Sequence, residues 1–194
     1  STGRPKGVAI VHETVTSLML GCLKLFEFGV NDVWTLFHSY AFDFSVWEIW
    51  GPLSTGGSLV VVPDEVRKSF QDYRALLADK KVTVLNHTPS AFYQLTAVEQ
   101  ESSLKDQPLS LRYIIFGGEA LDLVKMAKWP HSANTPDPIF VNMYGITEIT
   151  VHTTFIALTR ERALELNNSV VGTPLLNTQI YLLDAALNPV PIGT

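Results

Sequence analysis

Apolar and polar positions along the 194-residue chain fall into short runs that switch between a helical and an extended period. Between 11 and 28, Val15, Leu18, Met19, Cys22 and Leu25 or Phe26 recur at helical spacing on one face. After the turn-like Gly29-Val30-Asn31-Asp32, the aromatic and β-branched run VWTLFH (33–38) predicts a buried strand. FSVWEIWGPL (44–53) returns to helical spacing and stops near Thr55-Gly56-Gly57. SLVVVP (58–63) reads as a strand closed by Pro63. An amphipathic helix over 69–81, a strand over 82–87 and a helix over 89–100 follow, the last opened by Pro89. A strand over 111–118 runs into paired glycines, a helix covers 119–129, and a strand covers 138–145. From 151–158 the pattern is all-β, with a further strand over 178–184 and a turn at Asn188-Pro189.

Strands and helices in alternation, with the strands apolar throughout, predict an α/β fold. Its sheet is parallel-rich, with helices on both faces. Residues 1–150 read as this α/β core, and 151–194 as the start of a β-rich subdomain. In such sheets ligands bind beyond the carboxyl ends of the strands. Four polar or glycine-bearing segments fall there: the HSYAFDFS loop, Asn86-His87-Thr88, Phe116-Gly117-Gly118-Glu119 and Asn142-Met143-Tyr144-Gly145.

Composition removes several function classes. With 46% hydrophobic and 17% charged residues the chain is globular rather than disordered. A net charge of −5 without a basic stripe argues against nucleic acid as partner. The single cysteine, Cys22, excludes an internal disulfide and a cysteine metal cage, which makes a cytoplasmic setting the default. No apolar run reaches the length of a membrane span, and nothing resembles a signal peptide. His12, His38, His87, His131 and His152 lack ligand spacing on a shared helix face, so no zinc site is expected. No Gly-x-Ser-x-Gly elbow supports a serine hydrolase.

Four segments carry candidate chemistry. STGRPKG offers hydroxyls at Ser1 and Thr2, flexible backbone at Gly3 and Gly7, and a cation at Lys6, a composition able to wrap a polyphosphate. It is not the common P-loop, because Val8 and Ala9 follow where a Lys-Ser/Thr pair is required, and read alone it also suits a surface turn. In FDFSVWEIW, Asp43 stands among Phe42, Phe44 and Trp47. It suits either the cap of the following helix or an anchor for a ligand ammonium. NMYGITE places an aromatic, a glycine, a hydroxyl and a carboxylate together: Tyr144 to stack on a planar base, Thr147 to meet a phosphate, Glu148 to ligate Mg2+. A local turn would use the same residues. FGGEAL lacks the third glycine of a dinucleotide fingerprint.

Taken together, in this order and spacing, STGRPKG, FDFSVWEIW, FGGEAL and NMYGITE resemble the adenylation domains of nonribosomal peptide synthetases, in the adenylate-forming superfamily. GTPLLNTQIYLLDAALNPVPIGT is similar to the segment that precedes the family's Gly-Glu-Leu motif, so the resemblance spans the chain. It implies attack of an amino-acid carboxylate on the α-phosphorus of ATP, giving aminoacyl-AMP and pyrophosphate. The acyl group then passes to the phosphopantetheine thiol of a peptidyl carrier domain. A small helper protein is a further candidate partner. By motif match, Thr2, Gly3, Lys6 and Gly7 belong to the loop that handles the β,γ-phosphates. Tyr144 and Gly145 serve the nucleotide, with Gly118, Glu119 and Ala120 lining the adenine slot. Thr147 approaches the α-phosphate and Glu148 holds Mg2+. Thr147 and Lys6 are the catalytic pair on this reading, and Asp43 binds the substrate's α-ammonium. Aryl-acid-activating relatives lack that carboxylate, so Asp43 separates an amino-acid enzyme from an acyl- or aryl-CoA ligase. A non-catalytic binding module is the remaining alternative.

The resemblance also implies a substrate lining of Asp43, Phe44, Trp47, Asn86, Ile115, Gly117, Met143, Val151 and His152. Phe44, Trp47, Ile115 and Met143 leave a small cavity, and Asn86 with His152 can serve a hydroxyl. This lining is similar to that of threonine-activating domains, with serine as runner-up. The chain departs from the family motif at Ile146, where proline is usual. The family's phosphate loop starts upstream of Ser1. Its ribose-binding aspartate and its C-terminal subdomain with the catalytic lysine lie beyond Thr194. The resemblance therefore implies a fragment, expected to be inactive in isolation.

Overall fold

The structure is a computed structural model that describes residues 7–101, 107–131, 136–166 and 168–193. Among the described residues, seven strands form one sheet in the order β2-β1-β3-β4-β5-β6-β7. They are β1 Val33–Leu36, β2 Ser58–Val61, β3 Val84–His87, β4 Tyr113–Phe116, β5 Ile139–Tyr144, β6 Thr154–Leu158 and β7 Thr173–Pro174. The pairs among β1 to β5 are parallel, and β6 and β7 join antiparallel. The helices are α1 His12–Cys22, α2 Phe44–Thr55, α3 Asp64–Arg67, α4 Phe70–Asp79, α5 Pro89–Glu101, α6 Leu123–Met126 and α7 Arg160–Glu165.

The expected α/β class and its covered sheet follow from how the central strands divide their side chains. In β4, Ile114 and Phe116 enter one core with Tyr73, Leu77 and Phe92, while Tyr113 and Ile115 enter the other with Trp34, Trp47 and Met143. Leu85 and Val84 of β3 split in the same way. A strand that is buried on both faces shows no polar alternation, which is why these runs read as continuously apolar. The two layers are of similar aromatic density: Phe92 stacks on Trp129 at 5.3 Å on one side, and Phe28 meets Trp34 edge-on at 4.8 Å on the other.

Several boundaries differ from the sequence expectation. The helix expected over 11–28 ends at Cys22, because Phe26 and Phe28 leave the helical path to pack on Tyr113. The helix over 69–81 is shorter, with Ser69 Oγ accepting from Asp72 N at its start, and the one-turn α3 precedes it unanticipated. Helix α2 stops where expected: Gly56 closes it at φ +74°, a conformation that favours glycine. The helix expected over 119–129 shrinks to α6, since Asp122 caps it by accepting from Lys125 N.

The tail departs furthest. No break in the sheet marks residue 150, because β6 lies along β5 from Phe140↔Leu158 to Tyr144↔Thr154. Helix α7, capped by Thr159, interrupts the region expected to be all-β. The strand expected over 178–184 is not formed; a single bridge joins Leu183 to Pro189. The turn sits before Asn188-Pro189, where the Asp184 carboxylate accepts from Ala186 N and Asn188 N. Ile180, Tyr181 and Leu182 stay exposed, and an apolar strand without a neighbour to pair with has no ladder to join. Among the described residues no helix is long and apolar enough to cross a membrane.

Candidate functional site

The carboxyl ends of β1, β3, β4 and β5 meet at one edge of the sheet, as parallel pairing requires. The loop after β1 is held there by Glu48 of α2, whose carboxylate is fully buried. It accepts from Phe37 N at 3.2 Å and His38 N at 3.0 Å, and lies 3.1 Å from His38 Nδ1. The His38 ring in turn stacks on Phe44 at 4.8 Å. Sequence reasoning passed over Glu48. Its signal was a carboxylate on the core face of an otherwise apolar helix.

Asp43 stands at the start of α2 in helical conformation, yet its side chain makes no capping bond. Thr147 Oγ1 donates to Asp43 Oδ2 at 2.6 Å instead. The carboxylate therefore faces across the sheet edge toward the loop between β5 and β6. Thr153 N donates to Tyr144 O at 2.7 Å and closes that loop, which makes a one-turn 3-10 helix at Thr147–Ile149. Thr150 and Val151 follow at φ 65° and 66°, a region β-branched residues rarely adopt. Gly145 makes the closure possible: a Cβ there would stand 2.1 Å from Val151 O and 2.7 Å from His152 Cα.

These elements enclose a cavity of about 220 Å3, lined by Phe42, Asp43, Phe44, Gly118, Gly145, Ile146, Thr147, Glu148, Val151 and His152. A second cavity, of about 230 Å3, lies across the 148–152 loop between it and α1, with Glu148 and His152 common to both. His152 is fully enclosed, and burial pushes its imidazole down to about 3, so the ring is neutral. It stands edge-on to Phe44 at 5.3 Å and to Trp47 at 5.2 Å, and neither ring nitrogen has a hydrogen-bond partner among the described residues. Trp47 Nε1 donates to Asn86 Oδ1 at 2.9 Å, while Asn86 Nδ2 is buried without a partner among the described residues. His87, next along β3, is held well below the usual histidine range by burial first and by the charge of His38 second.

Of the residues singled out from sequence, Asp43, Phe44, Gly118, Gly145, Thr147, Glu148, Val151 and His152 share the cavity. Trp47, Asn86, Ile115, Gly117 and Met143 are buried and do not line it. Gly117 lies against the His152 and Phe44 rings. Tyr144 is 51% exposed, and Gly7, Glu119 and Ala120 are exposed as well. The Glu119 carboxylate already has partners, accepting from Ser90 N at 3.0 Å and Ser90 Oγ at 2.8 Å at the head of α5. Thr2, Gly3 and Lys6 lie outside the described residues. Among the described residues no group of three or more His, Cys, Asp or Glu is gathered for a metal ion.

The family model described as AMP-binding enzyme matches residues 1–194. The chain is 51% identical over 193 residues to the dimodular nonribosomal peptide synthase of Bacillus subtilis (strain 168), covering 100% of this chain and 8% of that one. It is 44% identical over 197 residues to syringomycin synthase SyrB1 of Pseudomonas syringae pv. syringae, covering 100% of this chain and 31% of that one. Among solved structures, a nonribosomal peptide synthetase, FmoA3, in an α-methyl-L-serine-AMP-bound form superposes with a TM-score of 0.87 at 27% identity, over 98% of this chain and 21% of that one. This chain thus spans about a third or less of these relatives' lengths. With its parallel-rich sheet, its cavity at the strand ends and this likeness along its whole length, the chain belongs to the AMP-binding enzyme family.

Proposed function

We propose that the chain is the central part of a nonribosomal peptide synthetase adenylation domain that activates a small hydroxylated amino acid, L-threonine first. ATP and the amino acid are converted to aminoacyl-AMP and pyrophosphate, and the acyl group passes to a phosphopantetheinyl carrier domain. The observation that carries the side-chain reading is a pair of unsatisfied buried groups: His152 in the cavity lining, and Asn86, bonded to the Trp47 ring that packs edge-on against His152. Asn86 Nδ2, an amide nitrogen, can only donate, and the neutral His152 ring can accept. A substrate hydroxyl answers both, accepting from Asn86 and donating to His152. A methyl group leaves both unpaired, and that penalty rejects valine. Phe44 in the cavity wall limits the size of the side chain, packed in one buried cluster with Ile115 and Met143. The related synthetase bound to an adenylate of α-methyl-L-serine, itself a hydroxylated amino acid, is consistent with this class.

Asp43 receives the α-ammonium, and Thr147 directs its hydroxyl to the α-phosphate. Tyr144 lies flat on adenine beside Gly118 and Ala120. Glu148, exposed at the cavity mouth, supplies one carboxylate oxygen to Mg2+. A hard ion that takes its other ligands from phosphates and water needs no larger protein cluster, so the donor set fits. When bound, the ion offsets charge on the polyphosphate. Thr2, Gly3, Lys6 and Gly7 handle the β,γ-phosphates. Catalysis on this reading is positioning and charge stabilisation. Amino-acid-dependent ATP–pyrophosphate exchange by the complete domain tests it. Threonine should lead the panel with serine next, and highest rates for valine or phenylalanine with none for threonine would overturn the pocket reading.

A further inference from the structure

Two residues assigned above to different substrates are bonded to each other. Thr147 Oγ1 donates to Asp43 Oδ2 across 104 positions of sequence. Among the described residues this is the only side-chain hydrogen bond that either group makes. Both ends are held in place. Asp43 heads α2, which Glu48 ties to the backbone of Phe37 and His38. Thr147 sits in the loop that Thr153 N closes onto Tyr144 O, with Gly145 wedged against Val151. The contact is therefore built by the fold rather than by two free side chains meeting.

The geometry points to a latch that couples the two substrates: Thr147 engages the carboxylate that the amino acid needs, and Asp43 engages the hydroxyl that the nucleotide needs. The inference rests on the roles proposed above for Asp43 and Thr147. A hydroxyl has one proton to donate, so giving it to a phosphate oxygen withdraws it from Asp43. The freed carboxylate then offers its full acceptor capacity to the ammonium. In the other direction, an ammonium bound at Asp43 draws off carboxylate charge and weakens its hold on the hydroxyl. The ligand that binds first opens the bond against its own affinity, and the second finds its partner already released. Reciprocity requires the same factor in both directions. For a hydrogen bond to a charged group on a partly exposed edge, that factor is about 5- to 30-fold.

The test is calorimetric titration of the complete adenylation domain with L-threonine, or with whichever amino acid leads the exchange panel. It is run with and without a saturating non-hydrolysable ATP analogue and Mg2+. In the wild-type domain the analogue should tighten amino-acid binding by about 5- to 30-fold. Thr147→Val removes the donor while keeping the shape. It should tighten amino-acid binding in the absence of nucleotide by a similar factor and abolish the further gain from the analogue. Thr147→Ser should keep the wild-type coupling. A variant that merely damaged the loop would weaken binding, so the gain in affinity is diagnostic. Equal affinities with and without the analogue in the wild-type domain would overturn the latch and leave the substrate assignments standing. So would a Thr147→Val domain whose nucleotide-free affinity matches or falls below wild type. A wild-type domain that binds no amino acid overturns the role of Asp43, and the latch with it.

Discussion

Replacing Asn86 by leucine separates the structural and the recognition roles of one amide. Asn86 and Trp47 are both fully buried, and Trp47 Nε1 donates to Asn86 Oδ1 at 2.9 Å. Asn86→Leu keeps roughly the same volume but leaves the indole N–H without an acceptor. Such an orphan costs about 1–3 kcal/mol. For a chain of this size each kcal/mol is about 2–4 °C, so thermal unfolding should fall by about 2–12 °C. The second consequence concerns the substrate. Loss of the Nδ2 donor removes one bond to a hydroxyl, again about 1–3 kcal/mol, which at 1.4 kcal/mol per decade is about 5- to 150-fold. The threonine-to-valine ratio of kcat/KM should drop by that factor, measured by pyrophosphate exchange with the complete domain. A lower unfolding temperature with an unchanged ratio would show that the amide serves Trp47 alone, and the recognition argument would fail.

Two further substitutions address the loop and the buried imidazoles. Gly145→Ala sets a Cβ against backbone atoms at 2.1 and 2.7 Å that cannot rotate away. Displacing the 147–152 segment should cost about two orders of magnitude in exchange rate, and near-wild-type turnover would contradict the close approach. His87 and His152 both have folded-state pKa values below the ordinary 6.5 because burial favours the neutral ring. The unfolded chain therefore binds the extra protons, so their stabilisation is complete above pH 6.5 and is lost as pH falls toward the folded values. Each ring should remove about 1.4 kcal/mol per pH unit below that point, read by urea unfolding between pH 7 and 5. His87→Gln should remove one ring's share of the slope, and an unaltered slope would refute the assignment.

Most of the architecture was legible because the determinants are local. Continuous apolar runs bounded by turns can only be strands covered on both faces, and Ser69 and Gly56 announce where helices begin and end. Where periodicity failed, a distant partner had intervened. Phe26 and Phe28 broke a helical pattern to reach Tyr113, and residues 119–122 stayed outside the helix while Glu119 reached Ser90. The apolar pattern over 178–184 named a strand, but a strand exists only where a neighbour offers its backbone.

The candidate site divides along the same line. The types of chemical group it contains, and the order of the motifs that supply them, belong to the sequence by itself. Whether Asp43 capped its helix or faced outward did not, since both suit a carboxylate at that position. The outcome turned on Thr147, 104 residues away, whose hydroxyl faces Asp43 only because β5 ends and α2 begins at the same edge of the sheet. The orphaned nitrogens of Asn86 and His152 are likewise products of packing. A side chain's chemistry is local, but its hydrogen-bond partners and its access to water are set by whatever the fold brings beside it.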